Sequence, residues 1–190
     1  MRRFLQQKDK AINGLKASIS VGDVDEELIP LLGVINSLED YYTTSSCAGR
    51  ISLLCDLGGK GANKFLGKWH RKVDAGQVLS ALKGNKRTVW FMYEPPILHV
   101  VAKTLEKADE FIKAAREAGF KRSGIQSIKD GRVLIEILST ERIDAPVASV
   151  KGMLIDEEDL NFLSKASNKK LMQSRQKISR LKNRLLALGR

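Results

Sequence analysis

Apolar residues recur at the three- and four-residue intervals of a helix in five parts of the chain. The first part, residues 1–19, is also basic, and the last begins near Asp156 and runs towards the end of the chain. Gly84 and Gly119 each follow an apolar run at a position typical of a helix C-terminus. The pattern therefore predicts helices over residues 1–19, from Asp23 or Asp25 to about Leu38, over 75–82, over 105–119 and from 156 onward.

Three stretches between these helices favour pairs of adjacent strands. The first pair is Tyr41–Cys47 and Arg50–Cys55, with Ala48 and Gly49 as the turn between them. The other pairs are 88–93 with 97–102, interrupted at Glu94-Pro95-Pro96, and 124–128 with 133–139, joined at Asp130-Gly131. Helices that separate pairs of strands are typical of an α+β fold with an antiparallel or mixed sheet and packed helices, and not of a Rossmann fold.

The chain is 190 residues long, which is the size of a single domain. We expect that domain to cover residues 1–190. It is predicted to comprise a basic N-terminal helix at 1–19, a sheet-containing core at 41–140 and a long basic helix at 156–190.

Several classes of protein are disfavoured by the sequence. No stretch approaches the roughly 20 apolar residues that span a bilayer, and the N-terminus lacks the apolar segment of a secretory signal. Cys47 and Cys55 are too few for a disulfide framework, and His70 and His99 are too few for a typical His/Cys zinc site. We therefore expect a cytoplasmic protein with reduced thiols, no membrane partner and no bound metal.

Positive charge is concentrated near the end of the chain. The sequence has 33 lysines and arginines against 22 acidic residues, a formal net charge of +11. The segment from Lys165 to Arg190 holds nine of the basic residues and no acidic one, and leucines and isoleucine form an apolar seam along it. The seam predicts a packed helix whose basic side chains contact nucleic-acid phosphates. A solvated helix face is the simpler alternative, and a membrane-surface helix is disfavoured because the seam lacks Trp and Phe.

Three polar clusters are candidates for binding or catalysis. Thr43–Arg50 combines hydroxyls, a glycine turn and an arginine, which suit a carboxylate or phosphate, although a hydroxyl-rich strand explains it equally well. Glu94–His99 places a carboxylate and an imidazole on either side of a proline bend, where a buried strand with a satisfied histidine is the competing explanation. Trp69–Lys72 could stack on a base and hold a phosphate, or form an ordinary surface turn. No P-loop and no glycine motif of a dinucleotide-binding fold is present.

These clusters resemble the signature blocks of the tRNA wybutosine-synthesizing methyltransferase family, the third protein of the wybutosine pathway. The blocks that carry the resemblance are 45–51, Lys68-Trp69, 94–100, 118–125, 139–140, 151–152 and 156–168. They occur in family order over about residues 5–185, and the short chain resembles the archaeal members. Ala48 stands where the family often has a serine, so no role can rest on a hydroxyl there.

The resemblance implies a function in tRNA modification. It implies transfer of a methyl group from S-adenosylmethionine to the N4 nitrogen of a tricyclic, guanine-derived base in the anticodon loop of tRNA-Phe, on a fold unlike the Rossmann methyltransferases. A non-catalytic RNA-binding protein is the alternative. Under the methyltransferase hypothesis, Glu94 and His99 line the pocket and either could accept the N4 proton. The expected cofactor or base contacts are Ser45, Ser46 and Arg50; the expected base and tRNA contacts are Trp69, His70, Arg2, Arg3, Lys177, Arg180 and Arg184.

Overall fold

The computed structural model describes residues 2–59, 61–129 and 131–188. Within them the chain forms two compact units, each assembled from separate segments. The first unit consists of Met1–Ala48, Pro96–Thr140 and Ser174–Arg190, and the second consists of Gly49–Pro95 and Glu141–Gln173. The single domain expected from the sequence stays a prediction.

Helices and strands alternate along the chain largely as the sequence predicts. The helices are α1 (Arg2–Ser20), α2 (Ile29–Ser37, after a 3₁₀ turn at Glu26–Leu28), α3 (Ala75–Leu82), α4 (Leu105–Ala118) and α5 (Glu157–Leu188). The strands are β1 (Tyr41–Cys47), β2 (Arg50–Cys55), β3 (Lys64–Trp69), β4 (Val89–Glu94), β5 (Ile97–Ala102), β6 (Gly124–Lys129), β7 (Arg132–Leu138), β8 (Ile143–Ser149) and β9 (Gly152–Met153). All described strand pairs are antiparallel, which confirms the α+β class.

The first unit is built on a four-stranded sheet in the order β1-β5-β7-β6. Its core lies between one face of the sheet and helices α2 and α4, with apolar residues of α5 in the same cluster. The buried sheet residues of this core include Leu98, Val100, Val133, Ile135 and Ile137. Helix α1 packs through Phe4 against Tyr42 of β1, with ring centroids 5.2 Å apart.

The second unit is built on a five-stranded sheet in the order β3-β2-β4-β8-β9. Buried residues of β2, β4 and β8 form a second core with α3 and the first half of α5. Asn168 of α5 binds both backbone groups of Val73: its Oδ1 accepts from the amide at 3.0 Å and its Nδ2 donates to the carbonyl at 2.7 Å. This amide pair fixes the segment that leads into α3.

The predicted hairpin at Ala48-Gly49 is wrong. Strand β1 pairs with β5, whereas β2 pairs with β3 and β4, so the two strands belong to different sheets. The amide of Ala48 donates to Asp25 Oδ2 at 2.6 Å, and this bond holds the chain away from a hairpin turn. Strands β4 and β5 are divided in the same way at Pro95-Pro96, since neither proline has an N–H to donate to a ladder.

The predicted hairpin of β6 and β7 is confirmed by their antiparallel pairing. The predicted seam of α5 is confirmed as well. Its buried members are Leu171, Ser174, Ile178, Leu181 and Leu185, while the side chain of Leu188 lies outside the described residues.

Trp69 packs against the core of the second unit and lies over Gly67 of the same strand. A Cβ atom at Gly67 would lie only 2.1 Å from the Cη2 atom of the indole. The indole ring is rigid and partly buried, so it cannot give way cheaply. Gly67 therefore leaves the space that the ring occupies.

We expect Gly67→Ala to destabilise the protein by about 1–3 kcal/mol, because overpacking forces the indole or the strand to move. Thermal denaturation would show the loss, and indole emission in a Trp90→Phe background would report the displaced ring. Gly124→Ala is the matched control, since a Cβ at this strand position has no neighbour within 4 Å. Equal melting temperatures for the two variants would contradict the packing argument.

Candidate active site

A cavity of about 620 Å³ lies in the first unit between α1 and β1. Helix α1 contributes small and polar residues to one wall, and Tyr42 to Ser46 of β1 form the other. The residues from α1 and the following loop are Gln7, Lys10, Ala11, Gly14, Leu15, Ser18, Asp23 and Val24. We refer to it as the α1 cavity.

Buried hydrogen bonds hold both walls of the α1 cavity in place. The ammonium group of Lys8 donates to the carbonyls of Leu38 and Glu39, the latter at 3.3 Å, and burial lowers the pKa of Lys8. Asn36 binds Thr43 twice, accepting from its amide at 3.0 Å and donating to its hydroxyl at 2.8 Å. The α1 cavity is therefore formed by fixed elements.

The lining of the α1 cavity suits a small polar molecule with an apolar part. Hydroxyls of Thr44, Ser45 and Ser46 lie on one wall, and Lys10 and Asp23 supply charges of opposite sign. Apolar side chains from α1 and its loop complete the lining. The volume falls in the range of about 300–1,000 Å³ that is usual for small-molecule sites.

Ser45, His99 and Glu136 form a polar array across three neighbouring strands, with one hydrogen bond between Ser45 and His99. The Ser45 Oγ atom lies 2.7 Å from His99 Nδ1, and His99 Nε2 lies 3.4 Å from Glu136 Oε2. The imidazole and the carboxylate are 29% and 23% exposed, so both are accessible from solvent. A hydroxyl, an imidazole and a carboxylate in this order can accept a proton and stabilise the resulting imidazolium.

A bulge in β1 creates this array. Thr43 lies opposite Val100, but the register shifts between Thr43 and Ser45, and Ser45 rather than Thr44 lies opposite His99. His99 in turn lies opposite Glu136. Ser45 also lines the α1 cavity, so the array begins at the cavity wall.

Arg50 and Glu94 form an ion pair in the second unit. The guanidinium donates from Nε to Glu94 Oε2 at 2.5 Å and from Nη2 to Oε1 at 3.2 Å, a two-point geometry that fixes both side chains. Phe65 lies beside this pair, with Arg50 Cζ 5.5 Å and Lys68 Nζ 4.4 Å from its ring centroid. Phe65 is 38% exposed, so part of this aromatic side chain is accessible to solvent next to the two cations.

Segments 45–50 and 94–99 each contribute one residue to the Ser45–His99 hydrogen bond and one to the Arg50–Glu94 ion pair. The segment 45–50 supplies Ser45 to the first unit and Arg50 to the second, and the segment 94–99 supplies Glu94 and His99 likewise. The sequence points to all four residues individually. Their pairing follows from the strand register and not from their spacing along the chain.

The other predicted contacts differ in their surroundings. Ser46 lines the α1 cavity. Trp69 is partly buried with its ring over Gly67, and His70 follows it directly in a half-buried position. Arg3 is exposed on α1, and the side chain of Arg2 lies outside the described residues.

The basic residues predicted on α5 are mostly engaged within the first unit. Lys177 is 8% exposed and its ammonium group donates to Ser139 Oγ at 2.9 Å, so it is not presented to a phosphate. Arg180 donates to the carbonyl of Ala118 at 3.1 Å, and Arg184 pairs with Glu117. Arg180 and Arg184 nevertheless remain exposed.

Sequence reasoning does not identify Glu136, Phe65, or the two charged residues that line the α1 cavity, Lys10 of α1 and Asp23 of the following loop. Glu136 lies between the buried Ile135 and Ile137 of β7, where buried and less buried residues alternate. The sequence pattern therefore places this carboxylate on the face of the strand opposite to the core. Phe65 lies on β3, a strand outside the three strand pairs that the sequence predicts. No helix in the described part of the chain is long and apolar enough to cross a membrane.

The chain is similar to known proteins in sequence and in fold. The chain matches the family described as Methyltransferase TYW3 over residues 6–187. A tRNA(Phe) 7-((3-amino-3-carboxypropyl)-4-demethylwyosine(37)-N(4))-methyltransferase from Pyrococcus horikoshii is 42% identical over 98% of this chain and 97% of its own length. The enzyme of the same name from Methanocaldococcus jannaschii is 39% identical, with 96% of each chain covered.

The chain is also similar to solved structures. The PH1069 protein from Pyrococcus horikoshii OT3 is 40% identical and superposes with a TM-score of 0.92 over 100% of this chain and 97% of that chain. A hypothetical protein from Aeropyrum pernix is 27% identical, with a TM-score of 0.78 over 86% of this chain and 98% of that one. The chain therefore belongs to the Methyltransferase TYW3 family.

Proposed function

We propose that this protein methylates the N4 nitrogen of the demethylwyosine-type base of tRNA-Phe, beside the anticodon, with S-adenosylmethionine as the methyl donor. Membership of the methyltransferase family and the names of its relatives support the reaction. The structural observation that carries the proposal is the position of Ser45, which borders a cavity of cofactor size and begins a proton-accepting array. Because the substrate is tRNA, we expect the reaction to take place in the cytoplasm.

The α1 cavity fits the cofactor in size and in chemistry. Lys10 and Asp23 can bind the carboxylate and the ammonium group of its methionine part, and the hydroxyls of Ser45 and Ser46 can bind its polar edges. Ala11, Leu15 and Val24 offer an apolar surface for its ring. S-adenosylmethionine bound there supplies an electrophilic methyl group on a sulfonium centre.

The Ser45–His99–Glu136 array provides a route for the proton that N4 must lose. Ser45 Oγ can accept that proton while its own proton passes to His99 Nδ1, because the two atoms are 2.7 Å apart. The resulting imidazolium would donate from Nε2 towards Glu136, whose carboxylate stabilises the positive charge. Positioning of the base supplies the remainder of the rate, so no covalent nucleophile is required.

The Arg50–Glu94 pair and the exposed ring of Phe65 are proposed to hold a nucleobase. Bases that are extruded from an anticodon loop are commonly bound by stacking on aromatic rings or on arginine planes. Glu94 fixes the guanidinium plane through two hydrogen bonds, and in this proposal it positions Arg50 rather than accepting the N4 proton. Trp69 and His70 stay proposed tRNA contacts.

Incubation with tRNA-Phe from cells that lack this enzyme tests the reaction itself. With S-adenosylmethionine present, we expect mass spectrometry of the nucleosides to show one added methyl group on the tricyclic base. Binding of the tRNA without any methylation would instead favour the alternative, a non-catalytic RNA-binding protein.

Gly14→Met tests the position of the cofactor. Gly14 lines the α1 cavity and has open space where a Cβ would be, so the added side chain should fill the cavity without a backbone clash. Methionine also has a helix propensity better than that of glycine by up to about 1 kcal/mol, so α1 should remain folded. We expect calorimetry to show at least roughly tenfold weaker S-adenosylmethionine binding, since occluded volume removes apolar contact area.

Gly33→Met is the matched control for this experiment. Gly33 is exposed on α2, is not among the residues that line the α1 cavity, and has no neighbouring atom within 4 Å of the place that a Cβ would take. It should therefore bind the cofactor like the wild type. Unchanged affinity in Gly14→Met would exclude the α1 cavity as the cofactor site.

The proton route predicts graded effects at His99 and Glu136. Removal of a general base typically slows catalysis by roughly 10²–10⁴-fold, so we expect a loss of this order in kcat for His99→Ala. Glu136→Gln should give a smaller loss, because the imidazolium formed during the transfer loses its carboxylate partner. Affinities for tRNA and cofactor should stay near wild type. Normal turnover by His99→Ala would remove the array from the mechanism.

A further inference from the structure

The second unit carries four basic side chains at the start of β3 and between α3 and β4. Lys64 begins β3, and Lys83, Lys86 and Arg87 lie between α3 and β4. We refer to these four residues as the loop cluster. All four side chains are exposed, and three of them, Lys64, Lys86 and Arg87, line a concave surface with a volume of about 680 Å³.

The charges of the loop cluster are not neutralised within the described part of the chain. None of its four residues forms an ion pair there. Asp56 is the acidic residue among those that line the concave surface, and its Oδ1 atom accepts a hydrogen bond from the amide of Gly58 at 2.8 Å. On α5, by contrast, Arg175 and Arg184 pair with glutamates and Lys177 is buried. The loop cluster thus places cations without ion pairs among the described residues on and beside one concave surface.

Asn85 holds the loop cluster in a defined shape. Its amide nitrogen Nδ2 donates to the carbonyl of Arg87 at 2.8 Å, and its Oδ1 atom accepts from Cys55 Sγ at 3.5 Å. The backbone of Asp56 also donates to Thr88 at 2.9 Å. Because these bonds fix the backbone around the cations, little backbone entropy is lost on binding, and the ordering cost falls on the exposed side chains.

We propose that the loop cluster binds the phosphodiester backbone of the substrate tRNA. The described residues that line its surface include no aromatic side chain on which a base could stack, whereas lysine and arginine are the residues that bind phosphates. The cluster would therefore position the RNA without reading its sequence. This inference rests on the proposed function, because it takes tRNA as the substrate.

Two triple variants with the same change in charge test this assignment. The first replaces the cavity-lining cations of the loop cluster: Lys64→Gln, Lys86→Gln and Arg87→Gln. The second replaces three lysines of α5: Lys165→Gln, Lys169→Gln and Lys182→Gln. Apart from the half-buried Lys182, the substituted residues are exposed. Surface substitutions of this kind usually change stability by no more than about 0.5 kcal/mol, so both proteins should fold and melt like the wild type.

We expect the loop variant to bind tRNA-Phe roughly tenfold or more weakly, and the slope of log affinity against log salt to fall by about 2 to 3, one unit for each lost phosphate contact. Fluorescence anisotropy over a salt series gives both quantities. In the methylation assay, KM for tRNA should rise while kcat at saturating tRNA stays near wild type. The α5 variant should lose less affinity and keep most of the slope.

Other outcomes overturn the assignment. Equal losses in the two variants would indicate a general effect of net charge, and a larger loss in the α5 variant would place the RNA on the helix. Tight binding of inorganic phosphate alone, lost in the loop variant while tRNA binding stays normal, would indicate a small-anion site. A wild-type protein that binds no tRNA would contradict the proposed function itself, whereas a loop variant that matches an active wild type contradicts only this inference.

Discussion

Both candidate clusters depend on antiparallel strand register, which is set within each of the two sheets. In the first unit, Cys47 of β1 lies opposite Ile97 of β5, and in the second, Arg50 of β2 lies opposite Glu94 of β4. Arg50 is three residues after Cys47, and its partner Glu94 is three residues before Ile97. The pairing of β2 with β4 therefore has the same register as the pairing of β1 with β5. This constraint brings Ser45 to His99 and Arg50 to Glu94, and with them both candidate clusters.

The sequence predicts those features of the fold that depend on neighbouring residues. The hairpin of β6 and β7, the glycine after α4 and the seam of α5 all follow from local patterns, and the structure confirms them. The hairpin at Ala48-Gly49 fails because a local turn signal cannot reveal that Asp25, more than twenty residues earlier, binds the amide of Ala48. Strand β3 is absent from the predicted strand pairs, since Gly67 interrupts its apolar alternation and makes space for Trp69.

In the candidate site, too, the sequence predicts what depends on single residues and not what depends on distant partners. The residue types of Ser45, Arg50, Glu94 and His99 indicate polar chemistry, but their partners are set by cross-strand pairing over some fifty positions. Glu136 completes the array only because β7 pairs with β5. The sequence shows which residues of α5 are basic, but not which of them are engaged by other parts of the protein. The two glutamates and the carbonyl that bind Arg175, Arg184 and Arg180 come from distant segments.

The division of each unit into separate segments also governs how the chain can fold. The core of the first unit needs Ile178, Leu181 and Leu185 of α5, although its first strand is Tyr41–Cys47. The second unit needs Leu160 and Leu171 of the same helix. Neither core can therefore be completed during synthesis until α5 has left the ribosome. Both units must then close late and around one helix, rather than one after the other as in proteins whose domains are contiguous.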